Sequence, residues 1–368
     1  MGSRRTVSAL MIGLADCPAF PAEAWELLTI DRGEAWRLVR EAGPVLRGPP
    51  VASYGDAADF SVYLTRRAEA LATLHNPDFG DAEAFHPTLR IRRGLELLFT
   101  PRDSRKFAES CRSEARALIA RPFRDGIRDI AIPLIHKVFS CLCGVTPDDV
   151  RDTDHPDTAT MLLAMIRRRK HAPGNDFLSR LVHLDELTAQ WIAYTTWINI
   201  VNIAGQFAYC IRDLASNPEL GATLHDQPEL IRVFVEENLR LDNVAPTAIR
   251  KTVRDTVIGG VDVPAGLLVH SCLVAVNRDG SDSMSSEEYV LTAGAHRHWG
   301  FGGGSHRCPA SHLARETLRV LVEEWVTQVE RAELPPDYVP RVWLPRVQGQ
   351  SAWWLRELPL IDVRRLAG

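Results

Sequence analysis

Along most of the chain apolar residues recur every three or four positions, which predicts helices, while period-two alternation is confined to short stretches between turn residues. Glu34 to Ala42 reads as a short amphipathic helix stopped by Gly43-Pro44, followed by extended runs around Val45-Leu46 and Phe60 to Leu64. A helix over Glu69 to Leu74 ends before His75-Asn76-Pro77, because proline disfavours helix in the residue ahead of it. Thr88 to Phe99, Ser104 to Leu118 and Ile130 to Cys143 are read as helices, Pro133 being tolerated in a first turn that needs no N–H.

Asp148 to Asp157 is polar and turn-like, and Ala159 to Lys170 is one compact helix ahead of Pro173-Gly174. The longest helix, from about Asp185 to Ser216, is apolar nearly all round at Trp191, Ile192, Trp197, Ile198, Ile200, Val201 and Ile203, and so is expected in the middle of the protein. After a helix over Glu229 to Leu241, the stretches Pro246 to Arg250, Val257 to Val263 and Leu267 to Ala275 alternate with turns as small strands do. Pro335 to Pro345 is extended, and Trp353 to Val363 reads as a last strand pair. The expected class is mainly α with small β-sheets: a single domain over 1–368, with a β-rich region formed by about 44–66, 246–275 and 335–363.

The 368 residues are 45% hydrophobic, enough for a large buried core, and carry a formal net charge of −4 with both signs interspersed. No basic block marks a nucleic-acid partner, no apolar run reaches the ~20 residues that span a bilayer, and the N-terminus lacks a signal peptide's apolar core. A cytoplasmic protein is expected. Seven cysteines, odd in number and irregularly spaced, do not suggest a disulfide framework. Cys141 and Cys143, two apart on a helix, point to different sides and read as packing residues.

The stretch Trp299 to Glu316, W-G-F-G-G-G-S-H-R-C-P-A-S-H-L-A-R-E, sets Cys308 between a glycine-rich loop and a helix start. A thiolate ligand must be kept unprotonated and shielded, and Gly302, Gly303 and Gly304 let the backbone approach a flat ligand closely. His296, His298, His306 and Cys308 could alternatively supply four tetrahedral zinc ligands. Arg90, Arg92 and Arg93 cluster on the first turns of the helix over Thr88 to Phe99, either as a solvated surface or as a pocket for an anionic group.

Taken together these pieces resemble the cytochrome P-450 superfamily of haem-thiolate enzymes over most of the chain. The family pattern Phe-Gly-x-Gly-x-His-x-Cys-x-(Gly/Ala) stands here as Phe301-Gly302-Gly303-Gly304-Ser305-His306-Arg307-Cys308-Pro309-Ala310, and Glu-x-x-Arg stands as Glu237-Asn238-Leu239-Arg240. The resemblance implies a triangular helical prism with haem b between a long central helix and the cysteine loop. It makes Cys308 the axial thiolate and Phe301, with Gly302, the cover of its proximal side. His306, Arg250 and Arg92 match positions that hold haem propionates, and Glu237 and Arg240 are expected to be structural. Thr88 stands where the family usually has a histidine.

Two departures shape the functional expectation. The family's oxygen-activating (Ala/Gly)-Gly-x-(Asp/Glu)-Thr falls on Ile198-Asn199-Ile200-Val201-Asn202, so the acid has become Val201 and the alcohol Asn202. Valine carries no protons, whereas Asn202, with Asn199 nearby, can still donate hydrogen bonds to oxygen, water or substrate. Between Val145 and Pro173 there is room for little more than one lid helix, so the pocket is either open to a bulky substrate or completed by a carrier or partner. The expected function is a monooxygenase of bacterial specialised metabolism acting on a small molecule or carrier-bound intermediate, fed by an external ferredoxin and ferredoxin reductase. A peroxide-using, rearranging, dehydrating or cyclising haem enzyme and a non-enzymatic partner protein are the alternatives.

Overall fold

In the computed structural model, which describes residues 12–50, 59–81, 99–145, 158–279, 289–292, 297–343 and 352–366, the other elements gather round one 31-residue helix. Leading to it are β1 (Ile12–Gly13), α1 (Ala22–Leu27), α2 (Arg32–Ala42), β2 (Val45–Gly48), β3 (Ser61–Leu64), α3 (Arg67–Leu74) and β4 (Phe79–Asp81). Next come α4 (Pro101–Ser110), α5 (Arg112–Ile119), α6 (Ile132–Cys143), α7 (Thr158–His171) and the central helix α8 (Glu186–Ser216). The chain returns through α9 (Pro218–Asp226) and α10 (Ile231–Leu241) into β5 (Thr247–Thr252), β6 (Thr256–Ile258), β7 (Val261–Val263) and β8 (Leu268–Cys272). It ends with α11 (Leu273–Val276), α12 (Ser311–Val326), β9 (Val329–Glu333), β10 (Val342–Trp343), β11 (Trp354–Leu355) and β12 (Ile361–Arg365). The helix read over 88–99, apart from Phe99, and the turn over 148–157 lie outside the described residues.

Side-chain caps set several helix starts. Asp31 accepts the Glu34 N–H at 3.0 Å and Asp185 accepts that of Thr188 at 2.9 Å, each satisfying an N–H that has no partner within the helix. Thr100 and Asp103 cap reciprocally: the Thr100 Oγ1 accepts the Asp103 N–H at 3.2 Å and donates to Asp103 Oδ2 at 2.8 Å.

The structure corrects three boundaries and one pairing. The helix read over Ser104 to Leu118 is two helices, broken where the Cys111 thiol donates to Phe107 O at 3.3 Å and the Cys111 N–H turns instead to Ala108 O. Ahead of α6 the chain already winds from Gly126 to Ala131 in a π turn, and Pro133, with no N–H to give, sits where it tightens into α. The strand expected over Leu267 to Ala275 stops at Cys272, because the wholly buried Leu273–Val276 bonds locally as a helical turn. The tail strands do not pair with each other: β11 pairs with β10 and β12 pairs with β9, since alternation marks strands but not their partners.

The largest sheet runs β2-β3-β8-β5-β4, parallel only between β3 and β8. Among the described residues the other strands form three smaller sheets. Around α8 the core is continuous from Ile203 to Ile211, all buried, so its second half is central as expected. The first half is not enclosed in the same way, with Leu187 at 77% exposure and Tyr194 at 37%.

One buried group in the large sheet gives the fold a pH dependence. His270 on β8 is 1% exposed and stacks on Tyr63 at 4.6 Å between ring centroids. Burial pushes its imidazole down from 6.5 to about 3. Between those values the unfolded chain binds a proton that the folded chain refuses, so stability falls as pH drops from about 6.5 towards about 3. His270→Phe is expected to narrow the difference in Tm between pH 7 and pH 5, read by calorimetry; an unchanged acid dependence would assign that effect to other groups.

Candidate active site

The loop before α12 is shaped by hydrogen bonds that only a small-residue run permits. Gly302 N–H returns to Trp299 O at 2.7 Å, and Gly302 and Gly304 take φ of +70° and +66°, which side chains other than glycine rarely adopt. At Gly304 a Cβ would lie 2.0 Å from Leu74 O, so the loop backs directly onto the end of α3. The Cys308 N–H then donates to Phe301 O at 2.9 Å and closes the loop just ahead of α12.

Cys308 itself is half-buried. Five of the other cysteines are buried, and desolvation raises the thiols of Cys143, Cys210 and Cys272, which marks them as packing residues. Cys141 is half-buried but directs its thiol to Ser110 O at 3.5 Å. A soft sulfur at the mouth of a glycine loop, with nothing within 4 Å of a Cβ built on Gly302, fits a flat haem laid against that surface.

Behind the loop lies a buried ion pair. On α10, Glu237 and Arg240 are 0% and 1% exposed and meet in two parallel bonds of 2.8 Å, Nε to Oε1 and Nη2 to Oε2. Arg240 Nη1 also reaches Asn277 O at 3.4 Å, and Asn277 Nδ2 returns to Arg240 O at 3.1 Å. Asn277 Oδ1 in turn accepts the Trp299 N–H at 2.7 Å, so the ion pair holds the start of the cysteine loop through one amide.

A second brace grips Phe301. The carboxylate of Glu236 takes His298 Nε2 at 2.8 Å and Arg315 at 2.6 and 3.0 Å, and the Arg315 guanidinium lies 4.4 Å from the Phe301 ring centroid. Burial pushes the Glu236 carboxyl up, but the bonds from His298 and Arg315 outweigh it and hold the group down to about 2. His298 also accepts the Gly300 N–H on Nδ1 at 3.0 Å, so both its ring nitrogens are occupied. This disposes of His298 as a zinc ligand, and among the described residues no cluster of three or more His, Cys, Asp or Glu side chains could hold a metal.

The other candidates lie on neighbouring elements. Arg250 is buried on β5, with Nη1 on Ile249 O at 2.7 Å, and His306 is half-buried in the 3-10 turn Gly304–His306. Arg92 lies outside the described residues. On α8, Asn199 is exposed and gives Nδ2 to Thr195 O at 2.7 Å, while Val201 and Asn202 are half-buried. Asn202 Nδ2 approaches Asn199 Oδ1 at 3.4 Å, and among the described residues no donor reaches the buried Asn202 Oδ1. Both α8 and α12 pack on α10, which joins the two groups of residues mechanically.

Reading the sequence missed the residues that support this site. Asn277 lay inside A-V-N-R-D without an assigned task, Arg315 in a helix start, and Glu236 beside the more visible Glu237. Their signal is spatial, since each bonds a partner more than twenty residues away.

A cytochrome P450 family model matches residues 223–329, from within α9 to the start of β9. Nocardicin C N-oxygenase of Nocardia uniformis subsp. tsuyamanensis is 29% identical over 287 residues, covering 68% of this chain and 72% of that protein. Erythromycin C-12 hydroxylase of Saccharopolyspora erythraea is 26% identical over 352 residues, covering 83% and 85%. The solved structure of P450BioI in complex with a hexadec-9Z-enoic acid-ligated acyl carrier protein has a TM-score of 0.74 at 21% identity, covering 90% of this chain and 98% of that one. Helical body, small sheets and cysteine loop thus define a haem-thiolate class of protein. The chain belongs to the cytochrome P450 superfamily, and its enzyme class is that of the P450 monooxygenases. Relatives named as an oxygenase and a hydroxylase favour monooxygenation over the peroxide-using, rearranging and non-enzymatic alternatives.

The bracing makes a quantitative expectation. Arg240→Met leaves the Glu237 charge buried without its partner and should cost about 3–5 kcal/mol in urea unfolding. Arg128→Ala, which removes an exposed pair with Asp129, should leave the midpoint nearly where it was. Equal small effects would mean that the Glu237–Arg240 pair is not the brace described.

Proposed function

We propose that this protein is a haem-thiolate monooxygenase that oxidises a small molecule, presented alone or on a carrier, in bacterial specialised metabolism. The observation that carries the reading is Cys308, half-buried at the mouth of a glycine loop whose backbone closes on Phe301 and whose start is tied to a buried ion pair. Cys308 would hold the iron of haem b, with Phe301 and Gly302 on the sulfur side and His306, Arg250 and Arg92 towards the propionates. When bound, haem supplies dioxygen activation with two electrons, here delivered by an external ferredoxin and ferredoxin reductase.

The chain's own residues then have separate tasks. The loop keeps the sulfur in a backbone wrap that side chains would obstruct. Val201 offers no proton path, so protons are handled one residue on, where Asn202 presents a buried carbonyl oxygen able to hold a water and Asn199 a second amide beside it. Substrate lies against the half-enclosed first half of α8, where Leu187 and Tyr194 leave apolar surface exposed. An acyl carrier protein in complex with P450BioI supports the idea that a carrier can present substrate to this fold.

Two measurements test the reading. Reduced protein exposed to carbon monoxide should give the red-shifted Soret band of thiolate-ligated haem, and Cys308→Ala should lose it; a band that survives in the variant rules out Cys308 as ligand. Asn202→Ala should keep the band but consume reductant without matching product, about tenfold less efficiently, as loss of a positioned proton-handling group does. Full coupling in that variant would move the role elsewhere.

A further inference from the structure

The central helix and the cysteine loop are joined by a second route that neither the ion pair nor the proposed haem contacts require. Gln206 stands one helical turn beyond Asn202 on the same side of α8 and is 2% exposed. Its amide is fully used. Nε2 donates to Asn238 Oδ1 at 2.6 Å and to Asp242 O at 3.2 Å, and Oε1 accepts the Val244 N–H at 2.8 Å. The adjoining Asn243 gives Nδ2 to Gly300 O at 2.9 Å and accepts the Ala245 N–H on Oδ1 at 2.7 Å. Gly300 is the residue immediately before Phe301 in the cysteine loop.

We propose that Gln206 is a positioning residue: through Val244 and Asn243 it fixes the spacing between the central helix and the loop that carries Cys308. Residues 242–246 form no helix or strand, so their buried N–H and C=O groups need side-chain partners, and Gln206 and Asn243 supply them. The joint has little slack. A Cβ on Gly205 would stand 2.7 Å from Trp354 Nε1 and 3.0 Å from Val244 Cγ2, and one on Gly300 would stand 2.5 Å from Asn243 Nδ2. The segment is pinned from the far side too, since Val244 O accepts the Trp353 N–H at 2.6 Å. Just beyond it β5 begins, so the same joint sets the origin of the strand bearing Arg250.

An apolar side chain could fill the Gln206 site, but it could not direct Val244. Packing tolerates small slides that a bond to one N–H does not. The consequence for ligation rests on the reading that Cys308 holds haem, whereas the consequence for the loop does not.

The test separates positioning from filling. Gln206→Met leaves Val244 N–H and Asp242 O without this partner, and should lower Tm by roughly 5 °C. Amide hydrogen exchange over residues 299–308 should accelerate, and the carbon monoxide complex should lose part of its thiolate band. Gln206→Glu keeps an oxygen for the Val244 N–H but loses the amide donor to Asn238 Oδ1 and Asp242 O, so Tm should still fall while loop exchange and the spectrum stay closer to wild type than in Gln206→Met. Wild-type loop exchange in the Met variant overturns the proposal. So does a Glu variant whose loop exchange is as fast as that of the Met variant, because the bond to Val244 would then not be what positions the loop. If the Met variant does not fold, the Glu variant decides alone. A wild-type protein without the thiolate band would sink the Cys308 reading, and the exchange data would still decide the role of Gln206.

Discussion

The Glu237–Arg240 pair is the interaction on which the rest of the site depends. Taking two charges out of water costs several kcal/mol each, and their attraction offsets that only when geometry is good and the remaining polar atoms are bonded. Both conditions hold: two parallel bonds join them, Glu237 Oε2 also accepts the Val290 N–H at 3.0 Å, and Arg240 reaches Asn277. What the pair supplies is direction. An outer bond of Arg240 ends on Asn277 O, and Asn277 Oδ1 accepts the N–H of Trp299, so the loop's entry is tied to the buried pair.

The two ends of the site are built differently for that reason. Around the cysteine loop, His298, Glu236, Arg315, Asn277 and Asn243 all spend their polar atoms on protein, which leaves the loop one conformation. Along α8, Asn199, Val201 and Asn202 sit at intermediate or full exposure, and the buried Asn202 oxygen is reached by no described donor. Under the proposed function the contrast has a reason, because holding a ligand needs fixed geometry while handling oxygen and substrate needs room and exchangeable water. The boundary between the regimes falls within α8, between Asn202 and Ile203, where burial becomes complete.

Much of the fold was legible because helices and caps are local. Asp185 before an apolar run marks a helix start without tertiary information, and α8 begins where the pattern puts it, whereas α4 begins at Pro101, three residues ahead of the Ser104 that periodicity suggested. Pairing was not legible. Trp353 to Val363 reads as strand at either end, yet β11 and β12 answer to β10 and β9, a choice made by tertiary packing. The break at Cys111 was invisible because a thiol replaces a backbone donor, which periodicity does not register. At the candidate site the family resemblance singled out Cys308, Glu237 and Arg240, and the structure joins the last two in one buried ion pair. Gln206 was not: in an apolar helix one amide reads as a flaw in the pattern, and its meaning appears only when Val244 and Asn238 arrive from elsewhere in the chain.

The first half of α8 is flanked by a helix that is itself firmly anchored. Between Cys143 and Glu186 the described residues hold one α-helix, α7, and its C-terminal end is anchored: Arg169 bonds Asp176 and Gly144 O, each at 2.8 Å. Phe177 N–H bonds Leu142 O at 3.0 Å, and the Phe177 ring stacks on Phe99. Gly144, at φ +62° and with Asp176 Oδ2 2.7 Å from where its Cβ would be, leaves that junction no room to flex. Held at this end, α7 packs along α8, whose first half keeps Leu187 and Tyr194 exposed. Under the proposed function, a bulky substrate or carrier would meet there the apolar surface of a helix whose second half is tied through Gln206 and Asn243 to the cysteine loop. Contact at the mouth is thereby linked by packed structure to the geometry behind the sulfur.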